Sequence, residues 1–179
     1  AVATRDMQLL STTPVRSRMR YNMTSQLQAT YGADDSENVI NRALQLPEGF
    51  NPRTLKHAQQ LRQKFSDNRQ LIDAVLDDFR NENFVYTLSP PLLGEHAVDE
   101  FLFDTRRGFC EHYASAFTVL MRAAGIPARV VTGYQGGQIN PVSDYILIRQ
   151  ADAHAWTEVW IAGTGWIRVD PTAAVSPAR

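Results

Sequence analysis

The sequence predicts an α+β fold in which a helical N-terminal part precedes one further helix packed on an antiparallel β-sheet. Two observations carry this reading. Apolar residues recur at helical spacing in three segments before residue 81 and again from Ala114 to Ala124. From Ala128 onward the chain instead alternates in short runs separated by Gly-rich turns, which read as strands following the helices.

The first 34 residues are expected to be an extended segment. Val15, Ser17, Met19, Tyr21 and Met23 alternate with Arg16, Arg18, Arg20 and Asn22, as on an edge strand whose arginines face solvent. The main domain is placed at residues 35–179. Its first helix is predicted over Ser36–Leu46, stopped by Pro47. The second runs over Pro52–Phe65, with proline in its first turn, and the third over Asp67–Arg80, with Leu71, Ile72, Val75, Leu76 and Phe79 as its core stripe. Residues 83–91 read as an extended segment ending in the rigid Pro90-Pro91 pair. Ala114, Phe117, Leu120, Met121 and Ala124 form the inner stripe of a helix that stops at Gly125-Ile126-Pro127. Strands are expected over Ala128–Gln135 and Asp144–Arg149, joined by a Gly-rich hairpin connection too irregular for a phosphate loop. A last hairpin pairs a strand opening at His154 with Trp166–Val169 across Gly163-Thr164-Gly165.

Cys110, the only cysteine, falls in the first turn of the fourth helix. There the unpaired N–H groups and the positive end of the helix dipole favour a thiolate and can hold an oxyanion. Gly108 is read as leaving room for substrate. The last hairpin brings Asp170 back beside His154, where a carboxylate can accept the proton on the far imidazole nitrogen and fix the tautomer. Cys110 reaches that pair only through tertiary packing. Tyr86 is a candidate second oxyanion donor. Trp156 is a candidate cleft wall, with Trp160 and Trp166 packing the hairpin. His112 points to a different side of the helix from Cys110 and, with Glu111, is expected to support the helix start. Asp152 and Glu158 are read as solvent-facing strand charges near the base.

Four strings then resemble one family: Gly108 to Ala114, Arg122 to Arg129, Ala153 to Trp156, and Gly165 through Asp170-Pro171-Thr172. They are similar to the bacterial transglutaminase-like superfamily and fall in its order. With Asp99-Glu100-Phe101-Leu102-Phe103 added, the chain resembles the TgpA group of Gram-negative inner-membrane proteins, whose transglutaminase-like domain is periplasmic. The resemblance spans about residues 35 to 175. It implies a papain-like core, nucleophile Cys110, base His154 and orienting acid Asp170. It also implies acyl transfer from a protein-bound glutamine to a primary amine in the cell envelope, by a protein anchored in the membrane outside this chain. Two other readings use the same residues: a papain-like cysteine peptidase or amidase, and a noncatalytic binding module, which would normally lack a triad member. The triad alone does not distinguish crosslinking, deamidation and proteolysis, nor does it specify envelope partners or oligomeric state.

Composition narrows the rest. The chain has 179 residues, 44% of them hydrophobic, enough for a sizeable core. A net charge of −1 offers no general attraction for nucleic acid. No run of eighteen apolar residues occurs, and the chain starts at Ala1 without a start methionine or signal-like segment, so it is expected to be a domain of a longer protein. One cysteine excludes an internal disulfide. No HExxH, paired-ligand spacing or EF-hand loop occurs, so no metal or other cofactor is expected.

Overall fold

The computed structural model describes residues 2–3, 9–14, 16–17, 24, 31–143 and 145–175. Apart from 16 and 17, the edge strand expected over 15–23 lies outside them. Near the N-terminus, β1 (Val2–Ala3) pairs antiparallel with β2 (Leu9–Leu10). Helix α1 (Glu37–Arg42) is shorter than Ser36–Leu46 because the chain passes into turns at Ala43. Helices α2 (Pro52–Lys64) and α3 (Asn68–Asn81) stand where the periodicity placed them. Asp67 caps α3 by accepting from Gln70 N–H at 2.9 Å.

The start of α2 is capped from a distance. Asp99, 1% exposed, accepts from Arg53 N–H at 2.9 Å, from Thr54 N–H at 2.7 Å and from the Thr54 hydroxyl at 2.6 Å. A buried carboxylate is thus satisfied by the orphan amides of a helix start. Asp99 closes the short helix α4 (Ala97–Asp99), which continues into a π-helical turn over residues 100–105. The pattern of residues 92–106 had suggested neither element. The extended segment expected over 83–91 holds β3 (Val85–Tyr86), which pairs in parallel with β4 (Arg107–Gly108).

Helix α5 (Cys110–Ala123) is the centre of the molecule, lying between α2 and the main sheet. Tyr113, Phe117, Leu120 and Met121 meet Leu71, Val75 and Phe79 of α3, with Phe101 and Val159 completing the core. Burying each large side chain contributes about 1.5–3 kcal/mol. At the C-terminal end of α5, Arg62 Nε donates to Ala124 O at 2.9 Å, and Gly125 turns the chain at φ +78°.

The main sheet is antiparallel, ordered β5 (Ala128–Tyr134), β8 (Ala153–Ile161), β9 (Gly165–Val169). The strand expected over 144–149 does not pair with β5. Instead β6 (Gln138–Ile139) and β7 (Ile146–Leu147) close a small hairpin of their own, whose Ile139, Val142 and Ile146 are exposed. β5 pairs with β8, which gives Ala128 and Val159 a buried place against α5. The fold is therefore a mixed α+β one, with a helical layer on an antiparallel sheet.

On the sheet's other side the expectation for Glu158 is overturned. Glu158 is 3% exposed and accepts from Arg129 at 3.0 Å, Arg168 at 3.4 Å and the Tyr31 hydroxyl at 2.5 Å. Burial, reinforced by the Glu158 carboxylate, pushes the Tyr31 hydroxyl up to about 12. Trp160 Nε1 donates to Gly32 O at 2.7 Å and Trp166 Nε1 to Asp35 at 2.8 Å. Residues 31–35 thus strap the sheet, covering a charge that strand alternation alone assigns to solvent.

Candidate active site

Cys110 is the first residue of α5 and is 9% exposed. At that position its amide has no intrahelical acceptor. Its side chain packs with Ala114, Ala155 and Phe109, so the thiol lies against the strand residue that follows His154. Phe109 stands at the cap, and the imidazole of His112 reaches back so that its Nδ1 accepts from Phe109 N–H at 3.4 Å. Burial lowers the pKa of His112 against the opposing pull of Glu111, keeping the acceptor neutral.

Gly108 serves this cap rather than substrate entry. A Cβ there would lie 2.6 Å from His112 Cβ and Cγ and 2.9 Å from Phe101 Cε2. The room expected for substrate is filled by His112 and Phe101.

His154 enters from β8 and Asp170 follows the last residue of β9. The register pairs Thr157 with Val169, so Asp170 is one residue past the ladder. His154 Nε2 lies 2.9 Å from Asp170 Oδ2. Nδ1 takes no hydrogen bond among the described residues, and in the tautomer whose Nε2–H donates to the carboxylate it carries the lone pair. The two side chains are 10% and 17% exposed.

Thr172 completes the arrangement, and no role had been assigned to it from the sequence. Its backbone N–H donates to Asp170 Oδ1 at 3.0 Å, its hydroxyl donates to the same oxygen, and that hydroxyl lies 3.3 Å from His154 Nε2. The Asp-Pro-Thr string was the available signal, because an aspartate that caps its own backbone two residues on is a local motif. Here the motif opens a 3₁₀ turn over Pro171–Ala174 that packs on α3 and α5.

A cleft of about 580 Å³ brings Cys110 and His154 to one surface, with Tyr86, Phe109, Thr132 and Tyr134 among its walls. Tyr86 stacks on Tyr113 with centroids 6.4 Å apart at 17°. Trp156 is not among the cleft residues. It meets the His154 ring edge-to-face at 5.0 Å, and Arg168 lies 5.1 Å from its own ring, so it backs the imidazole. Glu111 and Asp152 line the cleft, and among the described residues no lysine or arginine does.

With this geometry in hand, the whole chain can be set beside known proteins. Residues 56–171 match the family model of the transglutaminase-like superfamily. The chain belongs to that superfamily. It is 48% identical over 174 residues to the protein-glutamine gamma-glutamyltransferase of Pseudomonas aeruginosa, covering 97% of this chain and 26% of that protein. The crystal structure of the periplasmic domain of TgpA from Pseudomonas aeruginosa bound to ethylmercury superposes with a TM-score of 0.80 and 51% identity, covering 81% of this chain and 52% of that one. A Cytophaga hutchinsonii structure, described as a candidate cysteine protease, gives a TM-score of 0.55 and 27% identity over 82% of this chain and 46% of that one. The chain thus spans about a quarter of the Pseudomonas enzyme and half of the solved TgpA chain. No helix among the described residues is long and apolar enough to cross a membrane.

Proposed function

We propose that this chain is a cysteine-dependent acyl transferase, a protein-glutamine gamma-glutamyltransferase that joins a glutamine carboxamide to a primary amine in the bacterial periplasm. The observation that carries the reading is the engagement of His154, whose Nε2 meets Asp170 while Nδ1 takes no hydrogen bond among the described residues, in a cleft lined by both His154 and Cys110. In the first step Nδ1 takes the thiol proton as sulfur attacks the carboxamide carbon. The resulting oxyanion is held by the Cys110 amide, with the Tyr86 hydroxyl as second donor. Collapse breaks the C–N bond, the imidazolium gives its proton to the nitrogen, and ammonia leaves a thioester. A primary amine then attacks that carbon and gives a proton to His154, the C–S bond breaks, and the thiolate is reprotonated. The net change replaces NH₂ by the acceptor's NHR and releases ammonia. The name of the Pseudomonas relative supports the activity, and the periplasmic TgpA domain supports the setting.

The test is mass spectrometry of a glutamine peptide incubated with and without monodansylcadaverine, beside Cys110→Ala and Cys110→Ser variants. Amine adducts from the native chain, and none from either variant, are expected. Native-level adducts from folded Cys110→Ala would overturn the thiol mechanism. The likeness to the Cytophaga protein favours a second reading, in which water resolves an acyl-enzyme formed from a peptide bond. Cleaved peptide in place of adduct identifies that outcome.

A further inference from the structure

Among the described residues no further strand pairs with the outer edge of β5, and the register determines which backbone groups that edge offers. Trp160 N–H donates to Pro127 O at 2.8 Å and Gln135 N–H to Asp152 O at 2.8 Å. With the printed pairing of the two strands, the hydrogen-bonded pairs fall at 129/158, 131/156 and 133/154. Even-numbered residues of β5 therefore turn their N–H and C=O groups away from β8. Ala128 bears this out, since its N–H donates to Ala43 O at 3.0 Å and its C=O accepts from Arg122 Nε at 2.8 Å. Past Ala128, the outward backbone groups of Val130, Thr132 and Tyr134 take no hydrogen bond among the described residues.

Among the described residues this edge has no strand partner. Val130 is 44% exposed, Tyr134 is 51% exposed and Thr132 is also exposed. None of the three is charged or proline, and the pairing runs without a bulge, so neither charge, proline nor bulge opposes edge pairing at these residues. The same edge continues into the cleft, where Thr132 and Tyr134 share the wall with Cys110 and His154. Leu88, 77% exposed, adds apolar surface to that cleft.

We propose that an extended segment of the glutamine-bearing polypeptide adds as a further strand to β5, pairing its main chain with Thr132 and Tyr134 and so delivering its glutamine side chain to Cys110. The proposal rests on the reading of this site as one that accepts protein-bound glutamine. An extended polypeptide is the occupant that matches alternating donors and acceptors at strand spacing, whereas free glutamine offers too short a main chain. The glutamine would then be chosen for lying in extended, accessible chain rather than in a helix.

A fluorescein-labelled nonapeptide, Ser-Val-Thr-Val-Gln-Val-Thr-Val-Ser, provides the probe, with single N-methyl groups placed in turn at each backbone amide. Binding is followed by fluorescence anisotropy on the full chain carrying Cys110→Ala, so that docking is read without chemistry. Methyl groups on alternate residues should weaken binding at least roughly tenfold, about 1.4 kcal/mol, while those between change it less than about twofold. Equal tolerance at every position, or no binding of the unmethylated peptide, overturns the proposal. Ammonia release from the unmethylated peptide by the native chain is measured separately. Ammonia release without the alternating pattern sinks the docking mode and leaves the acyl-transfer reading standing. The alternating pattern without ammonia release does the reverse.

Discussion

Replacing Asp170 by asparagine tests the site through the orientation of one amide. In the native site Oδ1 accepts from the backbone N–H and the hydroxyl of Thr172, while Oδ2 faces His154 Nε2. An asparagine that keeps its oxygen toward the Thr172 amide must turn its NH₂ toward Nε2. That nitrogen then has to accept, so the imidazole proton moves to Nδ1 and the base cannot take the thiol proton. The opposite orientation restores the tautomer but sets NH₂ against the Thr172 N–H, leaving a buried donor unpaired. An unpaired buried donor costs about 1–3 kcal/mol, so the productive orientation is depleted roughly 5- to 150-fold. Loss of the carboxylate charge that stabilises the imidazolium adds to this. The expected result is a kcat for amine incorporation lowered at least roughly tenfold, with KM for the glutamine donor changed much less. Incorporation of monodansylcadaverine into a glutamine peptide, followed by fluorescence, gives both constants. A folded Asp170→Asn chain with kcat within twofold of native would refute the reasoning and reduce Asp170 to a cap on the 3₁₀ turn.

Gly108→Ala should place a methyl group inside His112 and Phe101, destabilising the chain by about 1–3 kcal/mol and lowering kcat through the displaced start of α5; unchanged melting and turnover would show that His112 moves freely. Asp99→Ala strips the start of α2 of its acceptor, including one for the fully buried Thr54, and should cost about 3 kcal/mol or more, lowering Tm by roughly 6–12 °C. A Tm within two degrees of native would contradict that cap. Asp78 has its pKa raised by burial and then by Glu82, so its ionised form weakens the fold at neutral pH. As pH falls through the raised pKa the folded state gains the proton first, and stability is recovered. Asp78→Asn should therefore raise Tm at pH 7, with the advantage shrinking as pH approaches the ordinary aspartate range; a Tm gain that grows on acidification would reverse the assignment.

How much of this was legible in the sequence depends on the range over which each feature is decided. Helices α2, α3 and α5 follow from apolar spacing within one element, as does the last hairpin, whose loop uses Gly163 at φ +74°. The pairing of His154 with Asp170 was legible for the same reason, since both lie on one hairpin. The place of Cys110 opposite them was not, because α5 meets β8 only through packing between segments about forty residues apart. Glu158 shows why alternation misleads: a period of two tells which residues share a face, but not whether a distant strap with Tyr31 and a neighbouring Arg129 will cover that face and satisfy its charge. Asp99 repeats the lesson at α2, where the cap comes from beyond α3 because a helix start needs an acceptor but not a local one. Gly108, legible as a small residue beside Cys110, took its purpose from His112, four positions on. Thus the sequence by itself determined which candidate residues, Cys110, His154 and Asp170, stand on which local elements. Tertiary structure decided which edge of β5 takes no strand among the described residues and which charges were buried, because those depend on donors, acceptors and apolar surface from segments far apart in the chain.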